Sequence, residues 1–208
     1  MTTIVLVRHA ATAWSGSRYL GRTDLPLTPA GVEAARATAE RLAATVPVGV
    51  RIVTSPSQRT HETALIVATA LVSGAGASRT PVAVETDPGW AEADVGAADG
   101  LTFEDLAERF PTLARRLAAG DTAIDWPAGE TAADFHARVS VAWTAVVMAD
   151  RPTIVVTHAG PIRVAMALAS GRAVSEIALL EPAGAVHLEV DAAVHRDGRI
   201  HGSRGVAS

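Results

Sequence analysis

Two short runs built largely of aliphatic residues, Ile4 to Val7 and Thr153 to Thr157, each end at a histidine: Arg8-His9 follows the first and His158 the second. A continuous run of this kind leaves no polar face for water, so it belongs in a strand covered on both sides, as in a parallel sheet flanked by helices. Between and after these runs the apolar spacing turns helical. Thr28-Pro29 supplies a cap and a first-turn proline, and Val32, Ala35, Ala39 and Leu42 recur at helical spacing, predicting a helix from Pro29 to Ala44.

The remaining chain follows the same alternation. Arg51 to Thr54 reads as a second strand broken by Ser55-Pro56, and Gln58 to Leu71 as a helix with Arg59 in its first turn. Ser73 to Ser78 reads as a Gly/Ser/Ala connection, Val82 to Val84 as a strand, and Gly89 to Gly100, which lacks periodicity, as a loop placed for function. Phe103 to Ala119 is helical with a break at Pro111. Thr131 opens a long helix with Phe135, Val139, Trp143 and Val146 on one face, a further helix starts at Gly160-Pro161 and runs to Leu168, and Val186 to Val190 forms a last strand. Strands alternating with helices imply an α/β layered fold with a mostly parallel central sheet, whose ligands gather beyond the carboxyl ends of the strands. The chain reads as one domain, residues 1–208, with a frayed tail from Gly202 to Ser208.

Composition narrows the chemistry. The chain has no cysteine, which removes thiolate nucleophiles, disulfides and thiolate metal sites. It has no lysine either, so every permanent side-chain cation is an arginine, the residue best shaped to grip a phosphate with two donors. The net charge of -4 and the scattered arginines give no basic surface for nucleic acid. No run approaches a membrane span and no basic leader precedes the first apolar run, so a cytoplasmic protein without membrane contact is expected.

A lone histidine at a strand end is ordinarily a cap or a core residue, but two strands delivering imidazoles to one sheet edge form a site. Arg59 at a helix start opposes the helix dipole unless an anion lies nearby, and with Arg8 it makes a two-arginine clamp.

Three blocks resemble the histidine phosphatase superfamily, in its phosphoglycerate-mutase-like branch: Leu6-Val7-Arg8-His9-Ala10-Ala11-Thr12, Ser55-Pro56-Ser57-Gln58-Arg59-Thr60 and Thr157-His158-Ala159-Gly160-Pro161-Ile162-Arg163. Three more join them in family order, Gly21 to Thr28, Trp90 to Gly96 and Gly129-Glu130-Thr131, so the likeness spans roughly residues 4 to 190. The stretches Glu92 to Gly100 and Leu101 to Asp105 look most like the α-ribazole phosphatase group.

The resemblance implies a three-layer α/β/α sandwich and a phosphohistidine mechanism. His9 would be the nucleophile, Arg8, Arg59 and His158 would surround the transferring oxygens, and Glu92 would be the general acid, with Asp94 in reserve. Thr12, Ser15, Arg22 and Ala159 are the expected substrate contacts; Trp90 and Trp126, in or beside loops at the sheet's active edge, are equally open to bordering the pocket and to structural packing. Ala10, Ser15 and Ala159 depart from the family's usual glycine, asparagine and glycine, which bears on pocket shape and phosphate affinity. The expected activity is metal-independent and cofactor-free hydrolysis of a small phosphorylated metabolite, with α-ribazole 5'-phosphate as a candidate, by a monomer or homodimer. A cofactor-dependent phosphoglycerate mutase is the alternative within enzymes, and an inactive phospholigand- or protein-binding relative the alternative outside them.

Overall fold

The computed structural model describes residues 1–73 and 82–193, together with the backbone of residues 206–207. Its centre is a six-stranded mixed sheet. In chain order the strands are β1 (Thr2–Arg8), β2 (Arg51–Thr54), β3 (Val84–Thr86), β4 (Thr153–Thr157), β5 (Ala185–Val190) and β6 (Val206–Ala207). They lie side by side as β3-β2-β4-β1-β5-β6. The first four in that order are parallel, while β5 and β6 run antiparallel on the far edge.

Helices α1 (Pro29–Thr45) and α2 (Gln58–Ser73) cover one face, and α5 (Ala132–Met148) and α6 (Ala159–Ser170) the other, giving the α/β/α sandwich. The period-two geometry of a strand explains how one aliphatic run serves both layers. Val5 and Val7 pack with Ile52, Ile154 and Val156 against Ala39, Leu42 and Val67, whereas Ile4 and Leu6 pack with Val53 and Val155 against Val139, Trp143 and Ile162. Each such buried aliphatic side chain contributes about 1.5–3 kcal/mol relative to exposure.

A smaller cluster lies beyond the sheet. Helices α3 (Phe103–Arg109) and α4 (Pro111–Ala118) break at Phe110-Pro111 and pack Leu106 and Ala114 with Ala93, Val95 and Ala98. The expected loop from Gly89 to Gly100 is coil carrying two 3-10 turns, Pro88–Trp90 and Gly96–Ala98.

Some boundaries differ from the sequence pattern. The third strand starts at Val84 and ends at Thr86, because its extent is set by pairing with Ile52 to Thr54 of β2, and Val82 and Ala83 precede that pairing. Helix α2 continues through Ser73, and the rest of the expected connection lies outside the described residues. Within the tail expected to fray, Val206–Ala207 instead pairs with His187 and Val186, using edge groups of β5 that would otherwise lack partners. Residues 202–205 and 208 lie outside the described residues.

Candidate active site

The central pair β1 and β4 lie parallel with Arg8 opposite Thr157, and the His9 amide donates to Thr157 O at 2.9 Å. This register carries His9 and His158 off the same sheet edge, with ring centroids 5.1 Å apart and planes inclined at 65°. Both are buried. His9 Nδ1 lies 2.8 Å from Ala10 O. A carbonyl can only accept, so Nδ1 carries the proton and Nε2 keeps its lone pair. Burial holds His9 down to about 3, with Arg59 and Arg8 pushing the same way against the Ala10 hydrogen bond. A neutral imidazole follows, with a nucleophilic nitrogen.

Two arginines flank it. Arg59 is 1% exposed although it sits in the first turn of α2, and its guanidinium donates to Thr23 O at 2.9 Å and Gly21 O at 2.8 Å. The Gly21 and Thr23 amides in turn donate to Asp99, so one carboxylate fixes the turn that holds the arginine. Arg8 donates to Leu180 O at 2.6 Å. Nε of Arg8, Nε of Arg59 and Nδ1 of His158 are buried with no protein partner. Trp90 Nε1 and Arg163 Nε are also buried without a protein partner. Buried polar groups are ordinarily satisfied, so the arginine donors beside His9 are candidates to meet an anion.

Glu92 lies at the side of this group. Its carboxylate oxygens face the amides of Ala93 at 3.1 Å and Gly160 at 3.4 Å. Crowding by surrounding atoms raises its pKa above the ordinary carboxyl range, outweighing those two hydrogen bonds and the attraction of Arg59 and Arg8. A Cβ on Gly160 would collide with Glu92 Oε1, so the glycine at this position leaves room for the carboxyl.

The acid's loop is held by Arg138, a residue the helical pattern of α5 concealed. Its Nε and Nη2 grip Glu130 at 2.9 and 2.8 Å, and Nη1 donates to Gly89 O and Ala91 O at 2.9 Å each. Glu130 also accepts from the Asp94 amide, tying the Gly129-Glu130-Thr131 block to the acid block. This bidentate geometry is what a lysine could not reproduce.

The expected substrate contacts divide. Ser15 Oγ accepts from the Thr12 amide at 2.9 Å, so the two form a local turn. Ala159 opens α6 directly after His158. Arg22 is half exposed and stands 4.0 Å from both Asp94 and Glu130. Trp90, equally open to a pocket border and to packing, is fully buried in the core under α5, because its 3-10 turn folds inward. Trp126 does line a cavity of ≈ 260 Å³ that reaches Glu92 and Gly160, together with Tyr19, Ile124, Phe135 and Arg163. Among the described residues no group of three or more His, Asp or Glu could hold a metal ion, and no helix is long and apolar enough to cross a membrane.

Two histidines and two arginines thus meet at one edge of a mixed α/β sandwich. The chain belongs to the histidine phosphatase superfamily, branch 1, which it matches over residues 4–195. Members of that family are phosphatases or mutases. It is 34% identical over 171 residues to a bifunctional protein of Mycobacterium tuberculosis, an alignment covering 81% of this chain and 44% of that protein. The chain thus spans less than half the length of that relative. Phosphoglycerate mutase-like protein 4 of Arabidopsis thaliana is 29% identical, over 77% of this chain and 67% of that protein. Among solved structures, mycobacterial glucosyl-3-phosphoglycerate phosphatase complexed with VO3 superposes with a TM-score of 0.78 at 25% identity, covering 100% of this chain and 98% of that one. A candidate alpha-ribazole-5'-P phosphatase of Escherichia coli, at TM-score 0.78 and 19% identity over 100% and 96% of the two chains, shares the fold.

Proposed function

We propose that this chain is a phosphomonoesterase that hydrolyses a small organic phosphate through a phosphohistidine on His9. The observation that carries the reading is the neutral His9, its Nε2 free, beside buried donors of Arg8, Arg59 and His158 that lack acceptors. In the first step the His9 Nε2 lone pair forms the N–P bond as the P–O ester bond breaks, and the Glu92 proton passes to the departing oxygen. Arg8, Arg59 and His158 hold the three equatorial oxygens, where fixed donors stabilise charge most. In the second step water attacks phosphorus, Glu92 takes its proton, and the N–P bond breaks to release phosphate and neutral His9. A glutamate serves as donor only while protonated, and the raised pKa of Glu92 supports that role.

Hydrolysis is favoured over mutase chemistry by the cavity beside Glu92. Its wall combines Tyr19, Ile124, Trp126 and Phe135 with the polar Asp121, Thr122, His136 and Arg163, which suits an alcohol bearing a flat ring with polar substituents better than a bare glycerate. Its volume of ≈ 260 Å³ lies a little below the roughly 300–1,000 Å³ of small-molecule sites. Arg22, offset by Asp94 and Glu130, is a weak clamp for a second acid group. α-Ribazole 5'-phosphate is the first candidate of this kind. The mutase reading draws its support from the phosphoglycerate mutase-like relative. An inactive binding relative would need the arginines but not His9 or Glu92.

The test is phosphate release from an aryl phosphate, α-ribazole 5'-phosphate and 3-phosphoglycerate, comparing wild type with His9→Ala and Glu92→Gln. His9→Ala should abolish release, and Glu92→Gln should impair the alkyl esters more than the aryl ester. No release by wild type from any member of the panel would refute the phosphatase reading.

A further inference from the structure

His158 is wholly enclosed, and a buried neutral imidazole has two forms that differ in which nitrogen carries the proton. Its Nε2 lies 2.8 Å from the hydroxyl of Ser55, and its Nδ1 faces no protein acceptor. Ser55 is itself 0% exposed, and His158 Nε2 is the one partner of its hydroxyl among the described residues. The Ser55 backbone that carries this hydroxyl is held from both sides. The Ser55 amide donates to Val156 O at 3.0 Å, extending the β2–β4 ladder, and the Ser55 carbonyl accepts from the Thr60 hydroxyl at 2.8 Å.

The two arrangements of this contact are unequal. If Nε2 carried the proton and donated to Ser55 Oγ, the serine hydroxyl hydrogen would be buried without an acceptor. Nδ1 would then turn a lone pair toward a site built for anions. If instead Ser55 Oγ–H donates to the Nε2 lone pair, the hydroxyl is satisfied and Nδ1 carries the hydrogen. A buried donor left unmade is the costlier error, so the second arrangement prevails. The doubly protonated ring is disfavoured as well, since burial and the charges of Arg59, Arg8 and Arg138 hold His158 well below its ordinary pKa.

We infer that Ser55 is a positioning residue that fixes His158 as the Nδ1–H tautomer, making a neutral imidazole a hydrogen-bond donor to the transferring phosphoryl group. The two histidines then carry the same tautomer for opposite ends. In His9 the Nδ1 hydrogen is tied to Ala10 O, freeing Nε2 to attack, whereas in His158 the Nε2 lone pair is tied to Ser55, freeing the Nδ1 hydrogen to donate. The catalytic half of this inference rests on the phosphohistidine reading, while the tautomer itself does not.

The experiment is nitrogen-15 NMR of the imidazoles in the unliganded protein, with His158 assigned by its loss in His158→Gln, set beside the kinetics of Ser55→Ala on an aryl phosphate. Wild type should show a protonated Nδ1 and an unprotonated Nε2 on His158. Ser55→Ala should mix the tautomers and lower kcat by roughly 10- to 100-fold, on the scale known for groups that orient metal-bound histidines, with less change in KM. A wild-type His158 protonated on Nε2 would overturn the inference even if Ser55→Ala failed to fold. So would a Ser55→Ala protein that keeps the wild-type tautomer, or one that mixes the tautomers at unchanged kcat. Because the NMR readout needs no turnover, failure of the phosphatase reading would be told apart from failure of the tautomer.

Discussion

Gly160→Ala separates the stability of this protein from its chemistry. Gly160 is the second residue of α6 with ordinary helical backbone, so alanine gains up to about 1 kcal/mol of helix propensity there. The added Cβ, however, would fall inside the contact distance of Glu92 Oε1 and 3.0 Å from Phe135 Cζ. Restoring ordinary contact requires the Glu92 carboxyl to retreat by about 1 Å, which a flexible side chain does at little cost in stability. For catalysis the same displacement is large, since misplacing a group by about 1 Å costs on the order of 10²-fold in rate. The melting temperature should therefore hold or rise, while kcat/KM on an alkyl phosphate falls about 10²-fold. An aryl phosphate, whose leaving group departs with little need of a proton, should lose less than about 10-fold. Calorimetry and steady-state kinetics on both esters read this out. Unchanged activity on the alkyl ester, or equal losses on the two, would refute the placement of Glu92 as the acid.

Arg138→Met should cost roughly 2 kcal/mol, discounted for partial exposure, by stranding Glu130 and the Gly89 and Ala91 carbonyls, and should lower the alkyl-to-aryl activity ratio as Glu92→Gln does. An unchanged ratio would make Arg138 merely structural. Because Glu92 donates only when protonated and its pKa is raised, alkyl-ester kcat should fall as pH climbs through that raised value, later than an ordinary carboxyl near 4.5 would dictate. His9, held to about 3, should impose no acid limb above pH 4. On the stability side, unfolded His9 binds its proton near 6.5 and folded His9 near 3, so its contribution is full above pH 6.5 and is lost as pH falls toward 3. A urea titration at several pH values checks that sign. A chelator should leave phosphate release intact, and loss that added divalent metal restores would contradict the metal-free route.

The paired histidines were legible because each closes an aliphatic run whose strand character is hard to mistake, and parallel sheets bring such ends to one edge. What the sequence could not reveal was adjacency. That β1 and β4 are direct neighbours, and that β5 returns antiparallel beside them, depends on strand order and not on local pattern. Arg59 was readable as a misfit at a helix start, but the carbonyls of Gly21 and Thr23 that hold it come from a loop some 36 to 38 residues away. Trp90 was ambiguous for the opposite reason. An aromatic residue in an aperiodic stretch reads equally as pocket wall or as packing, and here a three-residue turn rotates it into the core. Arg138 and Ser55 gave little signal because what each holds lies on other segments, Glu130 and the Gly89 and Ala91 carbonyls for Arg138 and His158 for Ser55, and such pairings leave no periodicity.

The most direct test of the account is a rapid acid-free quench of wild type and His9→Ala turning over a phosphorus-32-labelled aryl phosphate, followed by peptide mapping. The account predicts an alkali-stable, acid-labile phosphoryl group on the peptide carrying His9, formed and consumed at rates matching turnover, and none in His9→Ala. Turnover by wild type with no label on that peptide, or label on it persisting long after substrate is exhausted, would contradict it.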